Sequence, residues 1–178
     1  SRFDVNFFRG DSGNEEDASK LLEYAKEKTG KATFDIIIDD GSHFQHDQMK
    51  GIGNFFSCIS SGGYYIIEDI CSEENLRNGE MWWGHSGEPH HSVPGECHAG
   101  SALRTDEKWL AGSEIDFSLC TEATIKQHLE TKVFSSGYLS DSKNKYITTH
   151  IKTLEYYSAN RALKTNFHQS NLAVFKKR

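Results

Sequence analysis

Apolar residues recur along this chain with two periods, and the alternation of those periods outlines a fold. Residues 14–29 carry Ala18, Leu21, Leu22 and Ala25 at i, i+3, i+4 and i+7, one face of a helix. Asn14 supplies an N-cap, Glu15, Glu16 and Asp17 suit the positive end of the dipole, and Gly30 supplies a stop. FDIIID (34–39) holds three consecutive isoleucines, the mark of a strand covered on both faces. Met49, Ile52, Phe55, Phe56 and Ile59 return to helical spacing over 46–59, with Gly51 and Gly53 as weak points. Gly62-Gly63 predicts a turn, and YYIIED (64–69) is a second continuous apolar strand. Ahead of all these, VNFFRGD (5–11) reads as a short buried strand that stops at Gly10-Asp11.

Strand, helix, strand, helix, strand with short links predicts right-handed crossovers and a parallel sheet, an α/β fold. Residues 71–118, rich in Gly, His, Ser and Glu, predict a long excursion with one or two short helices. Residues 121–131 predict a helix opened by Thr121. YITTHIKTLEYYS (146–158) and NLAVFKKR (171–178) predict two long strands, and their 12-residue link predicts an antiparallel pair. No repeat or low-complexity linker divides the 178 residues, which read as one domain with 71–118 as an irregular insertion.

Composition narrows the function classes. A hydrophobic content of 36% with 26% charged residues is that of a soluble globular protein. A net charge of −6 argues against a nucleic-acid partner, because phosphate neutralisation needs a basic face. No apolar run approaches the roughly 18 residues of a membrane span, and no signal-peptide pattern opens the chain. Cys58, Cys71, Cys97 and Cys120 form no CxxC pair, so a reducing, cytoplasmic setting is expected. Ser1 begins in what reads as a chain already under way, and the expectation is a fragment or processed product.

The candidate chemistry lies where the two isoleucine-rich strands end. Asp39-Asp40 closes one and Glu68-Asp69 the other, one turn, one helix and one strand later. Neighbouring strands lie about 5 Å apart, and open α/β sheets bind ligands outside the carboxyl ends of their strands. Adjacent carboxylates repel and are costly to desolvate, whereas a hard divalent cation such as Mg²⁺ takes oxygen ligands and leaves room for substrate oxygens. Asp40, Glu68 and Asp69 are the candidate ligands, and Asp39 is assigned to the neighbouring cofactor cleft. The alternative is that acids at strand ends face water or cap the next helix. His43, three residues past Asp40, is the candidate general base; imidazole titrates near neutral pH, and a metal lowers a hydroxyl's pKa. A helix-capping or exposed histidine is the competing reading. His46 is the second choice, with a packing role expected from its place in the first helical turn.

DIIIDDGSH followed by GGYYIIED resembles the class I S-adenosylmethionine-dependent methyltransferases, nearest the metal-dependent macrolide sugar O-methyltransferases of the mycinamicin and macrocin type. The resemblance implies a Rossmann-like sheet of order 3-2-1-4-5-7-6 ending in an antiparallel pair. It implies Mg²⁺ on Asp40, Glu68 and Asp69, with His43 as base. It also implies that Gly10-Asp11-Ser12, after the third strand, lies next to the adenine, which makes Asp11 and Ser12 candidate cofactor residues beside Asp39. The family's first two strands and its Gly-rich loop are not found in this chain and would precede Ser1. The chain taken alone is therefore expected to bind S-adenosylmethionine poorly. The family's usual Pro before Gly-Gly is Ser61 here.

The function this implies is Mg²⁺- and S-adenosylmethionine-dependent methylation of a hydroxyl on a sugar or other polar small molecule. The expected partner is that acceptor, with a homo-oligomer left open. Two readings compete with it: a non-catalytic, degenerate methyltransferase-fold module or subunit of an assembly, and a different reaction on the same fold and metal, as in cephalosporin-hydroxylase-like proteins. GHSGEPHHSVPGECHAG (84–100) has histidines in no zinc spacing and reads as a lid over the acids, with Trp82 and Trp83 as candidates to stack on a sugar ring.

Overall fold

Caps and stops place the first helix where the pattern predicts it. In this computed structural model, which describes residues 5–41, 44–70, 72–73, 117–158 and 171–178, α1 runs Glu15–Thr29. The Asn14 side chain accepts from the N–H groups of Glu16 and Asp17 at 2.9 and 3.1 Å. Gly30 takes φ 76° and donates its N–H to the Lys26 carbonyl. Strand β1 (Phe34–Asp39) follows, then α2 (Gln45–Phe55), a 3₁₀ turn (Phe56–Cys58) and β2 (Ile59–Ile70). β1 and β2 are parallel, with Ile37 opposite Tyr65 and Asp39 opposite Ile67.

The second half adds a short 3₁₀ turn at Phe117–Leu119, α3 (Thr121–Thr131), α4 (Asp141–His150), β3 (Ile151–Tyr157) and β4 (Asn171–Lys177). The sheet order is β1-β2-β4-β3, with β4 antiparallel to both neighbours. This is the 4-5-7-6 portion of the order that the resemblance implies. The fold is a mixed α/β sheet with helices packed against it.

Burial along the inner strands alternates with period two. Tyr65, Ile67, Ala173 and Phe175 are buried, while Tyr64, Ile66, Leu172 and Val174 are half-buried. The buried face packs with Ala18 of α1, Met49, Ile52 and Phe55 of α2, Ile125 of α3 and Ile147 of α4 in one core. Phe134 and Phe56 meet Phe175 edge-on, ring centroids 6.0 and 6.5 Å apart.

Four expectations give way. β1 is not covered on both faces: Ile36 and Ile38 are each 57% exposed, because the described helices pack on the other face of the sheet and β1 is its edge. Residues 5–11 form no strand, and Phe7 is 84% exposed; no strand among the described residues lies beside them to complete a ladder. Gly62-Gly63 is not a turn ahead of β2 but a bulge inside it. Pairing jumps from Phe34–Ile59 to Ile36–Tyr64, Gly62 takes φ 82°, and a Cβ on Gly63 would stand 2.6 Å from the Asp35 carbonyl. Finally, 146–150 are the end of α4 rather than the start of a strand. Ser140 caps that helix by accepting from the Lys143 N–H at 3.4 Å, and Ile147 is buried in the core.

Candidate functional site

A cavity of about 350 Å³ lies between α1, β1 and the turn before α1. Asp11, Ser12 and Asp39, the three residues assigned to a cofactor, all line it, with Phe8, Ile36 and Tyr65 among the apolar wall. Asp11 shapes the turn: its carboxylate accepts from the Gly13 N–H at 2.8 Å and its carbonyl from the Asn14 N–H at 3.1 Å. The Ser12 carbonyl accepts from Asn54 of α2 at 2.9 Å. Asn54 in turn accepts from Lys143 Nζ at 2.8 Å, and the same ammonium pairs with Glu15.

Asp39 ends β1 on the packed face. The Tyr65 hydroxyl donates to its Oδ2 at 2.9 Å. Burial, with the carboxylate's charge behind it, pushes the Tyr65 pKa well above its usual value near 10, so Tyr65 is a fixed donor to Asp39. Gly51 lies against this pair, since a Cβ there would stand 2.8 Å from Asp39 Oδ2 and 3.0 Å from the Tyr65 oxygen.

The two acid pairs close neighbouring strands side by side. Asp39 is opposite Ile67, so Asp40 and Glu68 follow at the same level, one inter-strand spacing of about 5 Å apart along the backbone. Asp40 is exposed, and Glu68 and Asp69 are half-buried. Against β4, the register passes from Ile67–Ala173 to Ile70–Asn171, three steps against two. Glu68 and Asp69 thus form a β-bulge, and Asp69 has a left-handed backbone, φ 54°. A non-glycine residue in that conformation is strained, and such strain gathers at functional sites.

The oxygen-only donor set of Asp40, Glu68 and Asp69 suits a hard cation in kind. Among the described residues, however, no three His, Cys, Asp or Glu side chains stand together as a group able to hold a metal ion. His43, the histidine-rich stretch 84–100, Trp82 and Trp83, and nearly all of the 71–118 insertion lie outside the described residues. His46 is buried, 3.0 Å from Asp47 through Nε2, with its ring stacked on Phe44. No described helix is long and apolar enough to cross a membrane.

No family pattern matches the chain. Over 58 residues it is 40% identical to 8-demethyl-8-(2-methoxy-alpha-L-rhamnosyl)-tetracenomycin-C 3'-O-methyltransferase of Streptomyces olivaceus. The chain resembles an O-methyltransferase there. That segment is 33% of this chain and 14% of the relative's length. Among solved structures, the MycE methyltransferase of the mycinamycin biosynthetic pathway with Mg and SAH aligns at 18% identity and TM-score 0.47. The same enzyme with Mg, SAH and mycinamycin VI aligns at 19% and 0.48. Each alignment covers 96% of this chain and 31% of the solved one.

The side chains that hold the backbone around Glu68-Asp69 were not evident from the sequence. Gln48 of α2, buried, donates its Nε2 to the Glu68 carbonyl at 3.0 Å. Asn171 of β4, also buried, donates its Nδ2 to the Ile70 carbonyl at 2.9 Å. Gln48 sits nine residues past Asp39, and a buried amide at that place in a helix is a signal only once the strand ends are known to need donors. Asn171 opens a strand and carries no local mark of its task.

Proposed function

We propose that this chain is part of an S-adenosylmethionine-dependent O-methyltransferase that methylates a hydroxyl on a sugar or other polar small molecule with the help of Mg²⁺. The observation that carries the reading is the bulge at Glu68-Asp69 beside the tip of Asp40. Two adjoining strand ends present acids at one level, and one of those acids is held in a strained backbone conformation. The 40% identity over 58 residues to a 3'-O-methyltransferase supports the reaction class.

In this reading Asp40, Glu68 and Asp69 hold the cation, and Asp11, Ser12 and Asp39 line the cofactor's pocket. A bound divalent cation supplies Lewis acidity that lowers the pKa of an acceptor hydroxyl. His43 accepts the proton that the hydroxyl releases. Tyr65 keeps Asp39 oriented as an acceptor toward the cavity.

The test is a mass measurement. Full-length protein incubated with S-adenosylmethionine, Mg²⁺ and glycosylated polyketide acceptors should yield a product heavier by one methyl group. Chelation, or His43→Ala, should reduce that product at least about a hundredfold. Product formation unchanged by both would refute the metal and base assignments.

A second reading, a non-catalytic module of the same fold, is favoured by the lack of a ready three-ligand group among the described residues. Titration calorimetry separates the two: a full-length protein that binds neither Mg²⁺ nor S-adenosylmethionine is the module.

A further inference from the structure

The bulge at Glu68-Asp69 interrupts the β2–β4 ladder, and an interrupted ladder leaves carbonyls that must find donors elsewhere. The carbonyls of Glu68 and Ile70 stand on either side of Asp69 in this bulge. Each is met by a buried side-chain amide from a different element: Gln48 Nε2 from α2 at 3.0 Å, and Asn171 Nδ2 from β4 at 2.9 Å.

The Gln48 amide has only one workable orientation, because its other end would set oxygen against the oxygen of Glu68. In that orientation Gln48 Oε1 is buried without a hydrogen-bond partner. A buried, unsatisfied acceptor is costly, and a packed apolar side chain would avoid the cost. This chain has a glutamine there all the same, and what that glutamine does is hold the backbone of Glu68.

Gln45 provides an internal contrast. It lies one turn earlier on the same helix and is equally buried, and its side chain also leaves one amide atom unsatisfied. Its oxygen accepts from the Thr121 N–H at 2.8 Å, and the hydroxyl of Thr121 donates to its carbonyl at 3.3 Å. Gln45 therefore joins α2 to α3 rather than holding the bulge.

The geometry points to Gln48 and Asn171 as positioning residues, an amide clamp that fixes the Glu68-Asp69 bulge in the shape that presents both carboxylates. This rests on the metal reading above. The clamp touches neither cation nor substrate; it acts through the two acids.

Mn²⁺ binding to the full-length protein, followed by electron paramagnetic resonance without acceptor or turnover, tests it. Gln48→Met should weaken Mn²⁺ binding about tenfold to a hundredfold, the usual effect of removing a partner of a metal ligand. Gln45→Met, which removes an equally buried amide from the same helix, should leave the affinity within about twofold, and both variants should keep a cooperative thermal transition. Equal affinities for the two folded variants would overturn the clamp, as would equal losses. If Gln48→Met fails to fold, Asn171→Ala takes its place in the same comparison. A wild-type protein that binds no Mn²⁺ refutes the metal site itself, an outcome distinct from a wild type that binds while its variants do not differ.

Discussion

Asp39 and Tyr65 show how one residue pair can dominate a local environment. The hydroxyl of Tyr65 is buried in the core and donates a hydrogen bond to a carboxylate at 2.9 Å. Its folded-state pKa is raised above the unfolded value near 10, so the folded state holds the proton where the unfolded state releases it. The stabilisation is therefore complete below pH 10 and is lost as pH rises beyond it toward the folded value. Unfolding free energy measured by urea titration should fall above pH 10, and Tyr65→Phe should flatten that fall. The same substitution should cost about 1–3 kcal/mol at pH 7, because a half-buried carboxylate loses one of its donors. The acids at 39 and 40 were readable in the sequence as strand-ending charges. The hydroxyl that tethers one of them was not, since Tyr65 reads as one more apolar strand position.

Elements whose ends carry their own chemistry were legible from the sequence, and elements set by distant packing were not. Asn14 and Gly30 bracket α1, and both do in the structure what their side chains allow. The last turn of α4 contains Tyr146, Ile147, Thr148 and Thr149, which favour strands on propensity. The Ser140 cap, the burial of Ile147 and the hydrogen bonds between Thr148 and the Phe134 backbone outweigh that preference. The two bulges of β2 were hidden for a similar reason, because a bulge is a property of two strands in register and not of one. The bulge at Asp69 carries its own prediction. Asp69→Val should destabilise the protein by about 1–2 kcal/mol, the cost of a branched side chain at positive φ, whereas Asp69→Gly should not. Denaturant melts of the two variants check it, and equal destabilisation would mean that the lost carboxylate, not the backbone, sets the effect.

On the scale of the whole molecule, the described helices pack on one side of the sheet, and on the other Ile36 and Ile38 are exposed. The parallel order was readable from the crossover rule, and the placement of β4 between β2 and β3 from the resemblance. The bare face of β1 was not, because three isoleucines in a row look the same whether both faces are covered or one. Ile36 and Ile38 lie on that open face, and β1 is hydrogen-bonded along one edge only among the described strands. Amide hydrogen exchange should therefore be faster in β1 than in β2 and β4, which are flanked on both sides. Protection in β1 equal to that of the inner strands would mean that something beyond the described residues covers its edge.

The position of β4 also bears on how the chain is assembled during synthesis. Among the described strands, β3 touches the sheet through β4 alone, yet it is made before β4, and β2 is made about a hundred residues before its partner at 171–177. Until residues 171–177 emerge, the inner edge of β2 stands as a template for any passing strand. Closure of the described sheet thus waits on β4, which must thread between β2, made about a hundred residues earlier, and β3, made just before it.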